Sequence, residues 1–462
     1  MKNGWILALT ELLAAGSALA LGPHEVLVLV NEASSNSVAI AGEFVRIRNV
    51  PEINVVRLNL PAYAGGANLD VSPATFTADI WTPALKAIRD RGIGDHILAW
   101  VYSVDFPTTI GTTPKLSIQG ITFLRNVPVA SEKVERGTYA SSLFAGPNPV
   151  TQKAEMYASQ TFDVSAETFR DDMPLPSMML GYTGEHGNSR ETVVKCLNSG
   201  VASDGTRPTG TVFFVTSDDV RSRCRQWQFE SIRRELRPLG VRAEVTGVFP
   251  TGRQGIIGLM MGAEKASPGK GNRYLPGSMA EHLTSRAGEF QNASQTKLSA
   301  WIEAGAVASA GTVVEPMSAW PKFPSARFFV HYANGCTVME SFFQSLRCPL
   351  QILLIGEPLA RPWAPTNAVL EVGGLGEGAA RGVLQLRAEV KAPPGSGYHR
   401  FLYLLDGRTA GRERELRLDT ATLAEGPHTV RTVAYSTDLV RSQVFVEKTI
   451  TVVSGQRSAG PP

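Results

Sequence analysis

The segment EHLTS (281–285) places a carboxylate, an imidazole and two hydroxyls within five positions. It follows LPGSMA, a run that reads as the end of a strand, and ligands of open α/β sheets gather at the carboxyl ends of strands. His282 would act there as a general base near neutral pH, with Ser285 as nucleophile if the backbone brings them together. The same residues also read as a capped turn, Thr284 and Ser285 holding the backbone while Glu281 and His282 orient it. No G-x-S-x-G elbow surrounds Ser285. Glu315 ends the small-residue run GAVASAGTVVEP, and Pro316 restricts the backbone before it. A buried carboxyl at that point has a raised pKa and serves as acid or base, or else it accepts from Lys322 or Arg327. The expectation is that His282 and Glu315 face one cavity within hydrogen-bond or one-water reach.

Two further residues have weaker chemistry. Cys336 follows Gly335 at an expected helix start, where the helix dipole lowers a thiol pKa. His331, five residues earlier, falls on an expected strand. His186, in the glycine-rich YTGEHGNS, either lines the same cleft or is a loop-surface histidine. Glu357 and Arg361 of GEPLAR are expected to tie the closing strand to the linker after it.

The elements that must position these groups alternate strand and helix. EVLVLV (25–30), 55–60 and 96–104 read as buried strands, with helices at 38–48 and 76–91 between them. Such strands, separated by helices, imply a mainly parallel sheet covered on both faces. Residues 106–180 are less regular, and PTTIGTTPKL and FAGPNPVTQ read as excursions over the sheet edge. Alternation resumes with helix 190–199, strand 211–216, helix 218–236, strands 241–248 and 256–261, and helix 297–304. An aromatic strand in KFPSARFF, helix 338–346 and strand 351–355 close the domain. Prolines in RPWAPTN (361–367) mark a linker. Beyond it the periodicity becomes that of strands, at 383–390, 400–405, 414–418, 428–435 and 443–452, with turns at PPGSG, DGR and EGP. About ninety residues of evenly spaced short strands imply a β-sandwich. The GGLGEG run (373–378) precedes a strand and reads as a turn, not a phosphate loop.

A chain of 462 residues needs more than one core, and 43% hydrophobic with 19% charged residues is a globular composition. A net charge of +3 gives no argument for nucleic acid. The densest basic run, Arg221, Arg223, Arg225, Arg233, Arg234 and Arg237, is interleaved with Glu230 and Glu235 and reads as a solvated helix face. The first twenty residues read as an export signal: Lys2, an apolar Trp5–Ala20 stretch and the A-x-A-type site Ala18-Leu19-Ala20. No later run is long and apolar enough to span a membrane, so no integral membrane segment is expected after signal removal. The four cysteines, Cys196, Cys224, Cys336 and Cys348, have no zinc spacing. Neither metal nor cofactor is expected. One disulfide, Cys196–Cys224 or Cys336–Cys348, stands beside the reading of buried thiols.

The pieces LGYTGEHGNSRETV, SDGTRPTGTVFFVTSDDVRSRCRQWQF, LPGSMAEHLTSRAG, AGAVASAGTVVEP, PKFP, HYANGCTVMESFFQSL and LLIGEPLARPW occur in that order. With the first βαβ unit they resemble an uncharacterised secreted bacterial family of genomes with exosortase-type sorting, over residues 25–365. That family has no settled activity. It more often carries Asp at Glu281, a glycine pair at Ala287-Gly288 and cysteine at Met317, so no thiol is available at position 317. Its C-terminal sorting signal has no counterpart near GQRSAGPP. More distantly, the strand–helix order and GEPLARP look like gingipain- and caspase-type cysteine peptidases, which place His after one strand end and Cys after the next. Here Ala263 stands where the Gly-His step would come, and no cysteine follows the second strand. YLLDGR and LDTATLAEGPHTVRTVAYS resemble bacterial immunoglobulin-like domains, which act as spacers or adhesion modules.

The chain is thus expected to be an exported, periplasmic or extracellular protein. Residues 1–20 are its signal, 21–365 a caspase/gingipain-like or doubly wound α/β domain, 366–456 an immunoglobulin-like sandwich and 457–462 a disordered tail. The expected role is binding or processing of a cell-envelope polymer or exported protein on a degenerate peptidase-like domain. The alternative is an active hydrolase using His282 and Glu315, with Ser285, in one cleft. Removal of 367–462 is expected to leave a folded α/β domain.

Overall fold

The computed structural model describes residues 21–147, 174–376, 379–438 and 440–453. The expected export signal, the end of the FAGPNPVTQ excursion and the expected disordered tail lie outside the described residues.

Ten strands form one continuous sheet: β1 (Val26–Asn31), β2 (Val55–Leu58), β3 (Ala99–Tyr102), β4 (Ser177–Met179), β5 (Thr211–Val215), β6 (Arg242–Thr246), β7 (Gln254–Gly262), β8 (Arg273–Leu283), β9 (Ala308–Thr312) and β10 (Ile352–Gly356). Their spatial order is β2-β1-β3-β4-β10-β9-β8-β7-β5-β6. Every neighbouring pair is parallel except β9 with β10, which run antiparallel through Ala308↔Gly356 to Thr312↔Ile352. The sheet is therefore two five-stranded parallel halves, back to back, pointing in opposite directions. Each half has the order 2-1-3-4-5 when its strands are counted along the chain. The chain leaves the first half after β4, builds all of the second, and returns with β10 to finish the first.

The central strands β1, β3 and β10 are buried along their whole length, because helices cover both faces. On one face lie α1 (Ser35–Arg48) and α2 (Arg190–Ser203), which pack on each other, and the short α3 (Ser299–Glu303). On the other lie α4 (Phe229–Leu236) and α5 (Phe328–Ala333), which pack together, with α6 (Val338–Ser345) against α5. Ser34 and Ser189 cap α1 and α2 by accepting from Ser37 and Thr192 N–H, so both starts follow ordinary cap chemistry.

Several expectations change. The aromatic RFFVHY run is helix α5, not a strand, and His331 with it. Every residue of α5 is buried, and among aromatics that fill space on all sides packing overrides β propensity. The basic helix expected at 218–236 breaks into Val220–Arg223, Gln226–Gln228 and α4. The break turns Arg225 inward, where it is 1% exposed, so that member of the basic run does not belong to a solvated face. None of the four cysteines is disulfide-bonded. Glu357 pairs with Arg48, Nε to Oε1 at 2.9 Å and a second contact at 2.6 Å, not with Arg361. Arg361 instead gives its backbone N–H to Asp204, whose other oxygen binds Arg48.

After the linker come β11 (Val369–Gly373), β12 (Ala379–Ala380), β13 (Val383–Lys391), β14 (Arg400–Leu405), β15 (Arg408–Gly411), β16 (Glu415–Asp419), β17 (Gly426–Tyr435) and β18 (Gln443–Val452). They form an antiparallel three-stranded sheet, β11-β13-β16, and a five-stranded sheet, β12-β18-β17-β14-β15. Leu370, Leu386 and Leu418 of the first meet Phe401, Val430 and Ile450 of the second in one core. This part is bonded to the α/β part: Arg441 reaches Glu25 at 2.7 Å, Arg431 reaches Asn49 O, and Arg412 reaches Asp95 at 2.9 Å. No helix among the described residues is long and apolar enough to cross a membrane.

Candidate functional site

The carboxyl ends of β7, β8 and β9 carry the EHLTS segment, but the pleat divides it. Successive strand residues point to opposite faces, so Glu281 and His282 cannot work side by side. Glu281 turns toward Arg225, whose guanidinium contacts its carboxylate directly and also binds Met261 O and Pro324 O. Burial pushes the Glu281 carboxyl up against the pull of that arginine. The pair is sealed, with both side chains at most 1% exposed.

His282 points to the other face, edge-on to Trp301 with ring centres 5.7 Å apart. Its Nε2 lies 2.8 Å from Ala263 O, which fixes the proton on Nε2, and burial lowers its pKa to about 4. A neutral ring that is 1% exposed and has its N–H committed to a carbonyl cannot serve solvent-borne substrate. Thr284 is fully buried, 2.6 Å from Gln295 Oε1. Ser285 is 5% exposed, and its carbonyl accepts from Thr312 Oγ1.

Glu315 lies three residues past β9 and accepts Met317 N–H at 3.1 Å. Lys322 turns to Glu135 O and Gln351, and Arg327 to Glu235, so neither is held by Glu315. His282 and Glu315 share no hydrogen-bond partner among the described residues, and the expected common cavity is not formed by their contacts. Cys336 sits just ahead of α6, buried against Val440 of the C-terminal part, with Gln344 Nε2 donating to its sulfur at 3.5 Å. His186 is a loop residue with φ 57°, its Nδ1 bonded to Phe290 O.

A polar cluster elsewhere in the sheet was not read from the sequence. In a 2-1-3-4-5 order, successive connections diverge between the first and third strands, which opens a crevice at their carboxyl ends. In the first half-sheet these are β1 and β3, and four polar residues meet there. Asp105 is fully buried with φ 60°. Its carboxylate accepts from Ser34 Oγ at 2.5 Å, Gly65 N–H at 3.0 Å and Thr183 Oγ1 at 2.6 Å. Asn31 holds the surrounding loops, donating to Leu60 O and Asp105 O, both at 2.9 Å. The left-handed backbone at a non-glycine residue is uncommon and concentrates at ligand sites.

The crevice walls come from both halves of the sheet. Gly66, at φ 67°, lets its loop close on the next: a Cβ there would lie 2.7 Å from Gly184 Cα. Tyr182 donates to Gly66 O at 3.0 Å and stacks on Phe290, ring centres 3.8 Å apart, which lays the 286–298 loop over the first half-sheet. His186 belongs to this wall and not to the EHLTS end. Thr183 is the half-buried member, so its hydroxyl is the group a ligand would reach first. The sequence signals were faint: NEASS after β1, SVDF after β3 and GYTG after β4, each short polar runs that also occur as plain turns.

No protein-family model and no curated protein matches the chain. Among solved structures, fibronectin(III)-like modules of Clostridium thermocellum CbhA align over 22% of this chain at 14% identity and TM-score 0.16. The chain spans 51%, about half, of that structure. The crystal structure of the Clostridium perfringens spore cortex lytic enzyme SleM aligns over 78% of this chain and 92% of its own, at 9% identity and TM-score 0.18. At such TM-scores neither likeness carries an argument about this chain.

Proposed function

We propose that the chain is an exported cell-envelope binding protein. Its α/β part is a degenerate relative of gingipain- and caspase-type peptidases, within the secreted bacterial family that the sequence resembles, and its C-terminal part is an immunoglobulin-like spacer. The observation that carries the binding reading is the sealing of His282: the one imidazole of EHLTS is buried, neutral and bonded to Ala263 O. The ligand-facing groups are then those of the β1/β3 crevice, which offers hydroxyls and backbone around a buried carboxylate. Such a lining suits a hydroxyl-rich envelope polymer or an extended segment of an exported protein.

A hydrolase reading is kept by one observation, the 2.6 Å hydrogen bond between Thr183 Oγ1 and Asp105. A hydroxyl against a carboxylate is the arrangement of a nucleophile–base pair, and Asp105 also accepts from Ser34 and Gly65.

The test compares wild type, His282→Ala and Thr183→Val in a screen of peptide, ester and glycoside substrates, together with sedimentation on insoluble envelope polymer. The expected result is no turnover in any protein and saturable binding that weakens about tenfold in Thr183→Val, the worth of one hydrogen bond. Turnover that survives in His282→Ala and disappears in Thr183→Val would establish the hydrolase reading instead.

A further inference from the structure

The first described residue is already inside the protein. Leu21 is 2% exposed, and its backbone N–H donates to Glu340 Oε1 at 2.9 Å. Glu340 is fully buried at the start of α6, where its other oxygen accepts from Thr337 N–H and Thr337 Oγ1, each at 2.7 Å. Among the described residues no cation pairs with it. A second buried carboxylate, Glu25, lies nearby and is provided for differently: it accepts from Arg441 at 2.7 Å, Gln443 at 2.9 Å and Gly22 N–H at 2.7 Å. Of the remaining titratable neighbours, His24 is held well below its usual pKa by burial and nearby arginines, and Tyr435, whose hydroxyl lies 3.4 Å from Glu25, is held well above its own by burial, so neither adds a charge. Two carboxylates thus face one guanidinium, and the unmatched one is Glu340.

A buried carboxylate without a cation is costly, and burial pushes Glu340 up to about 8 with an ordinary peptide bond on its Leu21 side. The atom that touches Glu340 is the nitrogen following the A-x-A-type site at Ala18–Ala20. We propose that cleavage between Ala20 and Leu21 completes this buried site, the new Leu21 α-ammonium becoming the counter-ion of Glu340. Water adds across the peptide bond, catalysed by a leader peptidase. Ala20 departs with the leader as a carboxylate, and the Leu21 nitrogen is released as an amine that takes up a proton. The unprocessed chain has an amide hydrogen bond at this place; the processed chain has a buried ion pair joining its first residue to α6. Leader removal then does more than release the chain: it supplies a charge that the fold lacks.

This inference rests on the export reading, and the experiment separates the two. The full-length precursor is expressed in a bacterial host, and the N-terminus of the exported protein is read by mass spectrometry. Leu21 is the expected first residue. A different cleavage point overturns the inference and leaves export standing, whereas an unprocessed chain overturns both. Thermal melting then compares the Leu21 amine with a form retaining Ala20, in wild type and in Glu340→Gln. Retaining Ala20 should lower Tm by several degrees in wild type and by less than half as much in Glu340→Gln; equal drops overturn the ion pair. If Glu340→Gln does not fold, acylation of the α-amine decides: strong protection in the folded wild type is expected, and labelling as fast as in urea overturns it.

Discussion

Acidification should unfold this protein partly through His282, and the size of the effect follows from its surroundings. The ring is fully buried beside Trp301, with Arg225 and Arg221 raising the cost of a positive charge and Asp219 opposing them weakly. Burial is the main cause, and it lowers the pKa from 6.5 to about 4. Between those pH values the unfolded chain holds a proton that the folded chain refuses, so stability falls as pH falls from 6.5 toward 4. At about 1.4 kcal/mol per pH unit, the loss assigned to His282 is about 3 kcal/mol. His331, lowered to about 3, and His24 add to the total loss, so the informative comparison is with a variant lacking only His282. His282→Gln keeps an N–H for Ala263 O and removes the titration. Urea unfolding followed by tryptophan fluorescence, from pH 7.5 to 4, is the assay. At neutral pH the variant should be less stable by about 1 kcal/mol, the scale of an imperfectly replaced hydrogen bond. Near pH 4 it should be the more stable protein, by about 2 kcal/mol, since most of the wild-type loss is expressed by that pH. Parallel stability curves for the two proteins would refute the assignment of a buried neutral imidazole.

Two other outcomes are expected. Arg48→Ala leaves Glu357 buried without its cation and releases Asp204; chemical denaturation should show a loss of about 3–5 kcal/mol, and one below about 1 kcal/mol would contradict the pairing. Deleting residues 367–462 removes Arg441 and Gln443 from Glu25; the α/β part should melt well below the full chain, with part of the loss restored by Glu25→Gln, whereas an unchanged Tm would show that the interface contributes nothing.

Strands such as VLVLV and ILLIG were legible because a strand buried on both faces has to be apolar throughout, and few other elements look like that. The five strands read after the linker were legible for a related reason, since alternation with D-G and E-G-P turns leaves little freedom. RFFVHY was misread because periodicity does not distinguish a strand from a helix that is buried all round. Arg225 shows the limit of reading charge from composition: a run of arginines indicates a solvated face on average, but one break in the helix turned a single member inward onto Glu281. Whether His282 meets Glu315 was not legible for a simpler reason. Proximity between two strand ends depends on which face each side chain takes and where the following turn goes, and neither is written in the spacing. The Asp105 crevice lay outside the reading because its members come from four loops far apart in sequence, each too short to look unusual.

The return of β10 to the first half-sheet has a consequence for how the protein is made. Until Ile352–Gly356 emerges, the edge of β4 has no partner on that side, while every strand of the second half has already been synthesised. The second half is in effect an insertion that can mature first, with the earlier strands left as an open template for unwanted pairing. Dividing the protein between the two half-sheets would therefore yield one contiguous folding unit and one incomplete one, not two domains.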